Sequence, residues 1–180
     1  MEEKRKSIYY NTPNGTIFSI DIFKGKKALV GDYFTFSYAN TKMVLTSLGM
    51  SVTIEETMNG VKDRILKGEH YDVIFTNNIY RGGTGLQLLK ELKEIENFNI
   101  PIIIHTISEK PIQHFLNLGF DGYLKKPIQQ EETIQLLKNL LWKIKIILQY
   151  TKIRQNTTND EEVNFKWITI PKRVYFQDLV

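Results

Sequence analysis

The sequence contains no cysteine, and it lacks the features that would place it in a membrane or outside the cell. Its 180 residues include only three histidines and five prolines. Without thiols the chain can form neither a disulfide nor a thiolate metal site. No apolar run approaches the roughly 20 residues of a membrane-spanning helix, and the opening stretch MEEKRKSIYYNTPNG has no apolar segment of a secretory signal. These absences predict a soluble, cytoplasmic protein.

The composition is that of one globular domain with short extensions. Hydrophobic residues make up 42% of the chain and charged residues 24%, with a net charge of +4. Basic residues outnumber acidic ones by two in residues 1–26 and by four in residues 138–180, whereas acidic residues are in excess by two in residues 27–137. A basic end can contact nucleic acid or an acidic protein, or it can be an ordinary solvated surface.

Short apolar runs alternate with stretches of helical period from Lys27 onward. The runs are KALVG, SVTIE, DVIFT, PIIIH and GYLKK. The helical stretches are Ser37 to Leu48, Thr57 to Lys67, Gly85 to Ile95, Lys110 to Leu118, and Glu131 onward. Five β/α repeats of this kind predict an α/β fold with a doubly wound, five-stranded parallel sheet, because crossover helices force parallel pairing.

The two ends of the chain have patterns of their own. Residues 1–25 predict a β-hairpin around Pro-Asn-Gly, and residues 26–140 form the main domain. Residues 141–180 continue the last helix, then become a polar linker and one or two short strands. Apolar residues at Ile134, Leu137, Leu141, Ile144 and Leu148 form a stripe that needs cover from the core, from the terminal segments or from a second copy of the chain.

In a sheet of this kind, functional groups lie at the carboxyl ends of the strands. Those ends carry Asp32, Tyr33, Asn77, Asn78, Thr106 and Lys126. Five stretches of the sequence resemble the receiver domain of two-component response regulators in their order and spacing. The resemblance covers about Lys26 to Leu140. The stretches are KGKKALVGDY, NGVKDRI, YDVIFTNNIYRGGTGLQLLKEL, PIIIHT and GFDGYLKKPI.

The resemblance implies a role for each position in the pocket. In the family, two acidic residues after the first strand and an aspartate after the third hold a divalent cation, and that aspartate accepts a phosphoryl group. Asp32 matches the first acid, but Tyr33 stands at the second and Asn77 at the phosphoacceptor. Thr106 matches the hydroxyl that contacts the phosphoryl group, Tyr123 the switch aromatic and Lys126 the lysine. A cis peptide bond is implied at Lys126-Pro127.

The two replacements remove the chemistry of the pocket. An amide is no nucleophile for phosphoryl transfer, and magnesium prefers charged oxygen ligands. We therefore expect neither catalysis nor a metal or other cofactor, so that the site is a degenerate receiver pocket. Lys126 then hydrogen-bonds Asn77 or pairs with Asp32, unless it and Thr106 are only remnants.

Other motifs favour structural roles. The glycines at 82, 83 and 85 fit a turn better than a phosphate cradle, and His70, His105 and His114 lack metal spacing. The stretch NGTIFSIDIF followed by KGKK weakly resembles the end of a histidine kinase ATP-binding domain. The aromatic and basic residues around Trp167 suit either single-stranded nucleic acid or a half-buried strand.

The sequence thus predicts a pseudo-receiver that acts by protein-protein interaction and is not an enzyme. The interaction face is formed by helix 4, strand 5 and helix 5, next to Tyr123 and Lys125. The expected partner is a protein such as a histidine kinase or a response regulator, or a second copy of the chain in a homodimer. Two alternatives stay open: an atypical response regulator whose basic C-terminal segment binds nucleic acid, and a remnant of a hybrid histidine kinase.

Overall fold

A five-stranded parallel sheet with helices on both faces forms the centre of this computed structural model, which describes residues 9–12, 15–18 and 21–141. The strands of the sheet are β3 (Lys27–Gly31), β4 (Ser51–Glu55), β5 (Val73–Thr76), β8 (Ile102–Thr106) and β9 (Gly122–Lys125). The helices are α1 (Thr35–Ser47), α2 (Met58–Leu66), α3 (Gly85–Lys93), α4 (Ile112–Asn117) and α5, whose described part is residues 130–141.

The strand order confirms the predicted doubly wound sheet. It runs β4, β3, β5, β8, β9, with every neighbouring pair parallel. Strands β4 and β5 lie on opposite sides of β3, so the direction in which strands are added to the sheet reverses after β4. Loops that follow strands on either side of such a switch point diverge and leave a crevice at the carboxyl edge of the sheet.

Alternate residues of the central strands enter two separate cores, which explains why the strands are apolar throughout. Ala28 and Val30 pack with α1 and α5 on one face, whereas Leu29 packs with α2, α3 and α4 on the other. Each fully buried leucine contributes about 1.5 to 3 kcal/mol relative to an exposed one. Leu137 and Leu141, on the stripe of the last helix, join the first of these cores.

The amino-terminal hairpin consists of β1 (Tyr9–Thr12) and β2 (Gly15–Phe18), which pair in antiparallel fashion. A short 3-10 helix, Asp21–Phe23, leads into β3. The remaining stripe positions Ile144 and Leu148, the linker and the predicted C-terminal strands lie outside the described residues. Within the described part of the chain, no helix is long and apolar enough to cross a membrane.

The loop after β5 contains a small hairpin that the sequence pattern did not predict. Strands β6 (Ile79–Tyr80) and β7 (Gly83–Thr84) pair in antiparallel fashion. Tyr80 is buried, and its hydroxyl lies 2.8 Å from Thr76 Oγ1. This hydroxyl occupies the space beside Gly31 where any larger residue would place its Cβ. The absence of a side chain at Gly31 therefore lets Tyr80 anchor the loop to the sheet.

Gly31→Ala should destabilise the protein by about 1 to 3 kcal/mol, because the added methyl overlaps the Tyr80 hydroxyl and approaches Val61. Urea unfolding of the single and double variants measures this cost. In a Tyr80→Leu background the cost of Gly31→Ala should be smaller, because one of the two contacts is gone. An equal cost in both backgrounds would show that Tyr80 does not occupy this space.

Candidate functional site

Four strands bring the predicted site residues to one edge of the sheet. Asp32 follows β3, Asn77 follows β5, Thr106 ends β8 and Lys126 follows β9. Backbone hydrogen bonds continue the ladder into these loops, from Asn77 N to Gly31 O at 2.9 Å and from Lys126 N to Thr106 O at 3.0 Å. The side chains are therefore positioned by the sheet itself. The Lys126-Pro127 peptide bond is cis, as the resemblance implied.

Asp32 lies fully buried at the centre of the site and accepts hydrogen bonds from four donors. Lys126 Nζ donates to Oδ2 at 2.6 Å, and the Ser37 hydroxyl donates to the same oxygen at 2.5 Å. Asn77 Nδ2 donates to Oδ1 at 3.0 Å, and the Phe34 amide to Oδ1 at 3.1 Å. One carboxylate thus connects β3, β5, β9 and the start of α1.

The surroundings of Asp32 favour its ionised form. Burial by itself acts to raise the pKa of this carboxyl, but the hydrogen bonds from Lys126 and Ser37 and the positive charge of Lys126 outweigh it, so that the pKa lies below its usual value. Burial lowers the pKa of Lys126, and Asp32 opposes that shift. The 2.6 Å contact between the lysine nitrogen and the carboxylate is a charge-assisted hydrogen bond.

Asn77 uses both ends of its amide inside the protein. Its nitrogen donates to Asp32, and its oxygen accepts from the Asn78 backbone amide at 2.8 Å. An amide offers no carboxylate to attack phosphorus. The geometry therefore supports a structural and hydrogen-bonding role for Asn77.

The residues do not fit the divalent cation that the resemblance implies. The side chains of Lys126 and Asn77 contact Asp32 as hydrogen-bond donors, and Lys126 is also positively charged. A metal cation at Asp32 would therefore have to displace Lys126. Tyr33, at the position of the second acid, is 36% exposed and supplies no charged oxygen. In the described part of the chain, no group of three acidic or histidine side chains could hold a metal ion.

The remaining predicted residues lie beside the pocket. Thr106 is buried, and its hydroxyl oxygen accepts from the Ser108 amide at 3.3 Å. Tyr123 stacks on Phe115 with ring centroids 4.9 Å apart, and its hydroxyl donates to the Ser108 carbonyl at 3.1 Å. Burial, followed by nearby glutamates, raises the pKa of Tyr123. Lys125 points to the surface and lies 3.6 Å from an exposed carboxylate of Glu109.

The glycines and histidines have structural surroundings. Gly82 has φ +87° at the turn between β6 and β7, which favours glycine, and Gly85 passes too close to the Asn77 carbonyl for a side chain. His70 is exposed, and His114 contacts Phe115 edge to face. The aromatic and basic cluster around Trp167 lies outside the described residues.

Sequence reasoning missed two features of the site. Ser37, in the first turn of α1, was not singled out, although a hydroxyl at that point faces the carboxyl edge of β3. The exposed apolar residues around the pocket, Phe34, Phe36, Ile79 and Ile107, were also missed. Their signal was visible as large apolar residues shortly after the ends of β3, β5 and β8.

His105 lies behind the pocket and is fully buried. Its Nδ1 is 3.2 Å from the Thr41 hydroxyl, and its Nε2 has no hydrogen-bond partner within the described structure. Burial, followed by the charge of Lys126, lowers the pKa of His105 to about 3, although Asp32 and the Gly31 carbonyl act in the opposite direction. The folded protein therefore holds a neutral imidazole there.

His105→Gln should reduce the acid sensitivity of the fold. Between pH 6.5 and about 3 the unfolded chain binds a proton at His105 that the folded chain does not, so stability falls as the pH falls through this window. The variant should lose up to about 1.4 kcal/mol per pH unit of that slope. Urea unfolding across the window measures it. Equal slopes for the wild-type protein and His105→Gln would contradict the assignment.

Comparisons with known proteins agree with this geometry. Residues 30–138 match the response regulator receiver domain. The "Probable transcriptional regulator ycf29" of Porphyra purpurea is 31% identical over 118 residues, which are 63% of this chain and 54% of that protein. The TorCAD operon transcriptional regulatory protein TorR of Escherichia coli K12 is 27% identical over 113 residues, 62% of this chain and 48% of TorR. The chain thus spans about half the length of the curated relatives it matches.

Solved structures show the same similarity. A two-component response regulator from Clostridium difficile is 28% identical, with a TM-score of 0.57 over 66% of this chain and 98% of that one. The receiver domain of Francisella response regulator 1452 is 25% identical, with a TM-score of 0.58 over 67% and 99%. With five parallel strands in receiver order and a family match over more than half of its length, this chain belongs to the response regulator receiver domain family.

Proposed function

We propose that this protein is a pseudo-receiver, which signals by binding another protein and does not accept a phosphoryl group. The observation that carries the proposal is the internal pairing of the pocket. Lys126 and Asn77 both bond to Asp32, so the charged groups of the site are already satisfied. No carboxylate stands at the position that would be modified.

The side chains at the two switch positions, Thr106 and Tyr123, also have partners inside this protein. In receivers, modification shifts an equilibrium between two conformations that exist already. Here the hydroxyl of Thr106 and the ring of Tyr123 both have partners, in Ser108 and Phe115. A fixed arrangement of these two side chains would present one surface permanently, and a binding partner would then recognise that surface.

The proposed interaction surface is the face formed by α4, β9 and α5. It carries exposed apolar side chains at Ile112, 50% exposed, and Leu118, 39% exposed. The Glu109 and Lys125 pair adds charge of both signs. Apolar anchors with a charged rim are the usual composition of a protein interface. Receiver domains interact with kinases and other regulators in two-component systems, so we propose a kinase, a regulator or a second copy as the partner.

A second candidate function is regulation of transcription. The curated relatives are transcriptional regulators by name, and the basic excess of residues 138–180 would suit nucleic acid. Nearly all of that segment lies outside the described residues. The proposals for the pocket and for the α4, β9 and α5 face do not depend on whether residues 138–180 bind nucleic acid.

The wild-type protein should stay unmodified when incubated with acetyl phosphate and magnesium, as measured by intact-mass spectrometry. The double variant Asn77→Asp, Tyr33→Asp should gain an acid-stable, base-labile phosphoryl adduct. The restored carboxylates supply the nucleophile and the second metal ligand. Tyr33→Asp alone is the control and should remain unmodified. A phosphoryl adduct on the wild-type protein would overturn the proposal.

Lys125→Glu should weaken self-association or partner capture by about three- to tenfold, because it reverses the charge beside Glu109 on the proposed face. Sedimentation equilibrium measures self-association, and capture with a purified kinase or regulator measures partner binding. Lys67→Glu, at an exposed position after α2, is the matched control. Unchanged sedimentation and unchanged capture by Lys125→Glu would remove this face from consideration.

A further inference from the structure

A cavity of about 500 Å³ opens above Asn77 and has an unusually apolar rim. Nine large apolar side chains are exposed in the described part of the chain, and five of them line this one cavity. They are Tyr33, Phe34, Phe36, Ile79 and Ile107. Phe36 is 81% exposed and Ile107 78% exposed. Exposed apolar groups gathered at one cavity indicate a binding site rather than a random surface.

Three of the side chains that line the cavity are aromatic. The rings of Phe34 and Phe36 lie 5.9 Å apart and are tilted by 54°, and Tyr33 lines the same cavity. Rings arranged in this way offer both faces and edges to a planar ligand. Because their own contacts leave them largely exposed, a ligand could cover apolar surface without displacing any core residue.

The cavity lining also contains polar side chains, and three of them are amides. Asn40, Asn77 and Asn78 all line the cavity, together with the hydroxyls of Thr106 and Ser108. Asn77 uses one amide hydrogen on Asp32, which leaves its second hydrogen and one oxygen lone pair for a ligand. Amide side chains of this type form paired hydrogen bonds with the edges of nucleobases.

The cavity has little net charge to offer. Lys126 is the only basic or acidic residue in its lining, and its ammonium group is bonded to Asp32 at 2.6 Å. A phosphate or carboxylate ligand would have to compete with that buried carboxylate for the lysine. A neutral ligand that hydrogen-bonds to amides and hydroxyls fits without breaking the pair.

We propose that this cavity binds an uncharged planar heteroaromatic molecule of the nucleobase class, stacked on the ring of Phe36 with the tilted ring of Phe34 beside it, and hydrogen-bonded by Asn77 and Asn78. Its volume lies in the range of roughly 300 to 1,000 Å³ that small-molecule sites occupy. The ligand is a free molecule and not a base of a nucleic acid strand, because strand binding needs a track of cations and the lining has only the paired Lys126. The inference rests on the proposed function in one respect, which is that Asn77 carries no phosphoryl group.

Titration of the full-length, 15N-labelled protein with adenosine, guanosine, cytidine and uridine tests the proposal. At least one nucleoside should shift the amide resonances of Phe36, Asn77 and Ile107 in a saturable manner. Phe36→Ala should weaken that binding at least fivefold, because the stacking surface is lost. Leu66→Ala, which removes an apolar side chain that is 61% exposed on α2, is the matched control and should leave the affinity unchanged.

Two further titrations distinguish recognition of the base from recognition of a phosphate group or of a nucleic acid strand. The corresponding nucleoside monophosphate should bind no more tightly than the nucleoside, and an oligouridine should bind no more tightly per base than uridine. The proposal is overturned if none of the four nucleosides binds at millimolar concentration, if only the monophosphates bind, or if Phe36→Ala has no effect. These outcomes do not involve acetyl phosphate, so a failure here is distinct from a failure of the pseudo-receiver proposal.

Discussion

The ion pair between Asp32 and Lys126 is the interaction on which the rest of the site depends. The carboxylate is fully buried and the lysine side chain is only 9% exposed. A buried charge whose partner is removed costs about 3 to 5 kcal/mol. Ser37, Asn77 and the Phe34 amide complete the hydrogen bonding of Asp32. This single carboxylate therefore holds four segments of the chain in one arrangement, at the edge of the sheet where the crevice opens.

An asparagine at position 77 is compatible with this arrangement in a way that an aspartate would not be. Its amide nitrogen donates to Asp32, whereas a second carboxylate would repel Asp32 or require a cation between them. The absence of a reactive group and the stability of the pocket thus have the same physical origin. In the proposed pseudo-receiver, this neutral amide stands in place of the nucleophile and reduces the need for a metal. On the proposed function, signalling depends on surfaces around the pocket, which are the apolar rim and the α4, β9 and α5 face.

Much of the fold could be predicted from the sequence because its signals are local and repeated. Runs such as KALVG and PIIIH are buried on both faces, and each is followed directly by a polar residue, Asp32 or Thr106, at the same edge of the sheet. The predicted helices agree with α1 to α4 within two residues at every end. The β6 and β7 hairpin was not predicted, because its strands have only two residues each and depend on Tyr80 filling the space beside Gly31. Gly31 and Tyr80 are 49 positions apart in the sequence, so no local sequence pattern predicts that they pack together.

The sequence by itself determined the α/β class, the doubly wound five-stranded parallel sheet and the presence of an amide at position 77. Only the tertiary structure decided what the remaining groups do. Lys126 could have bonded to Asn77 or paired with Asp32, and the folded chain places it on Asp32. It also gathers Phe36 and Ile107, which are far apart in sequence, around one cavity. The physical reason is that hydrophobic periodicity specifies which segments are buried, whereas distances between side chains from different strands are set only when the sheet has assembled.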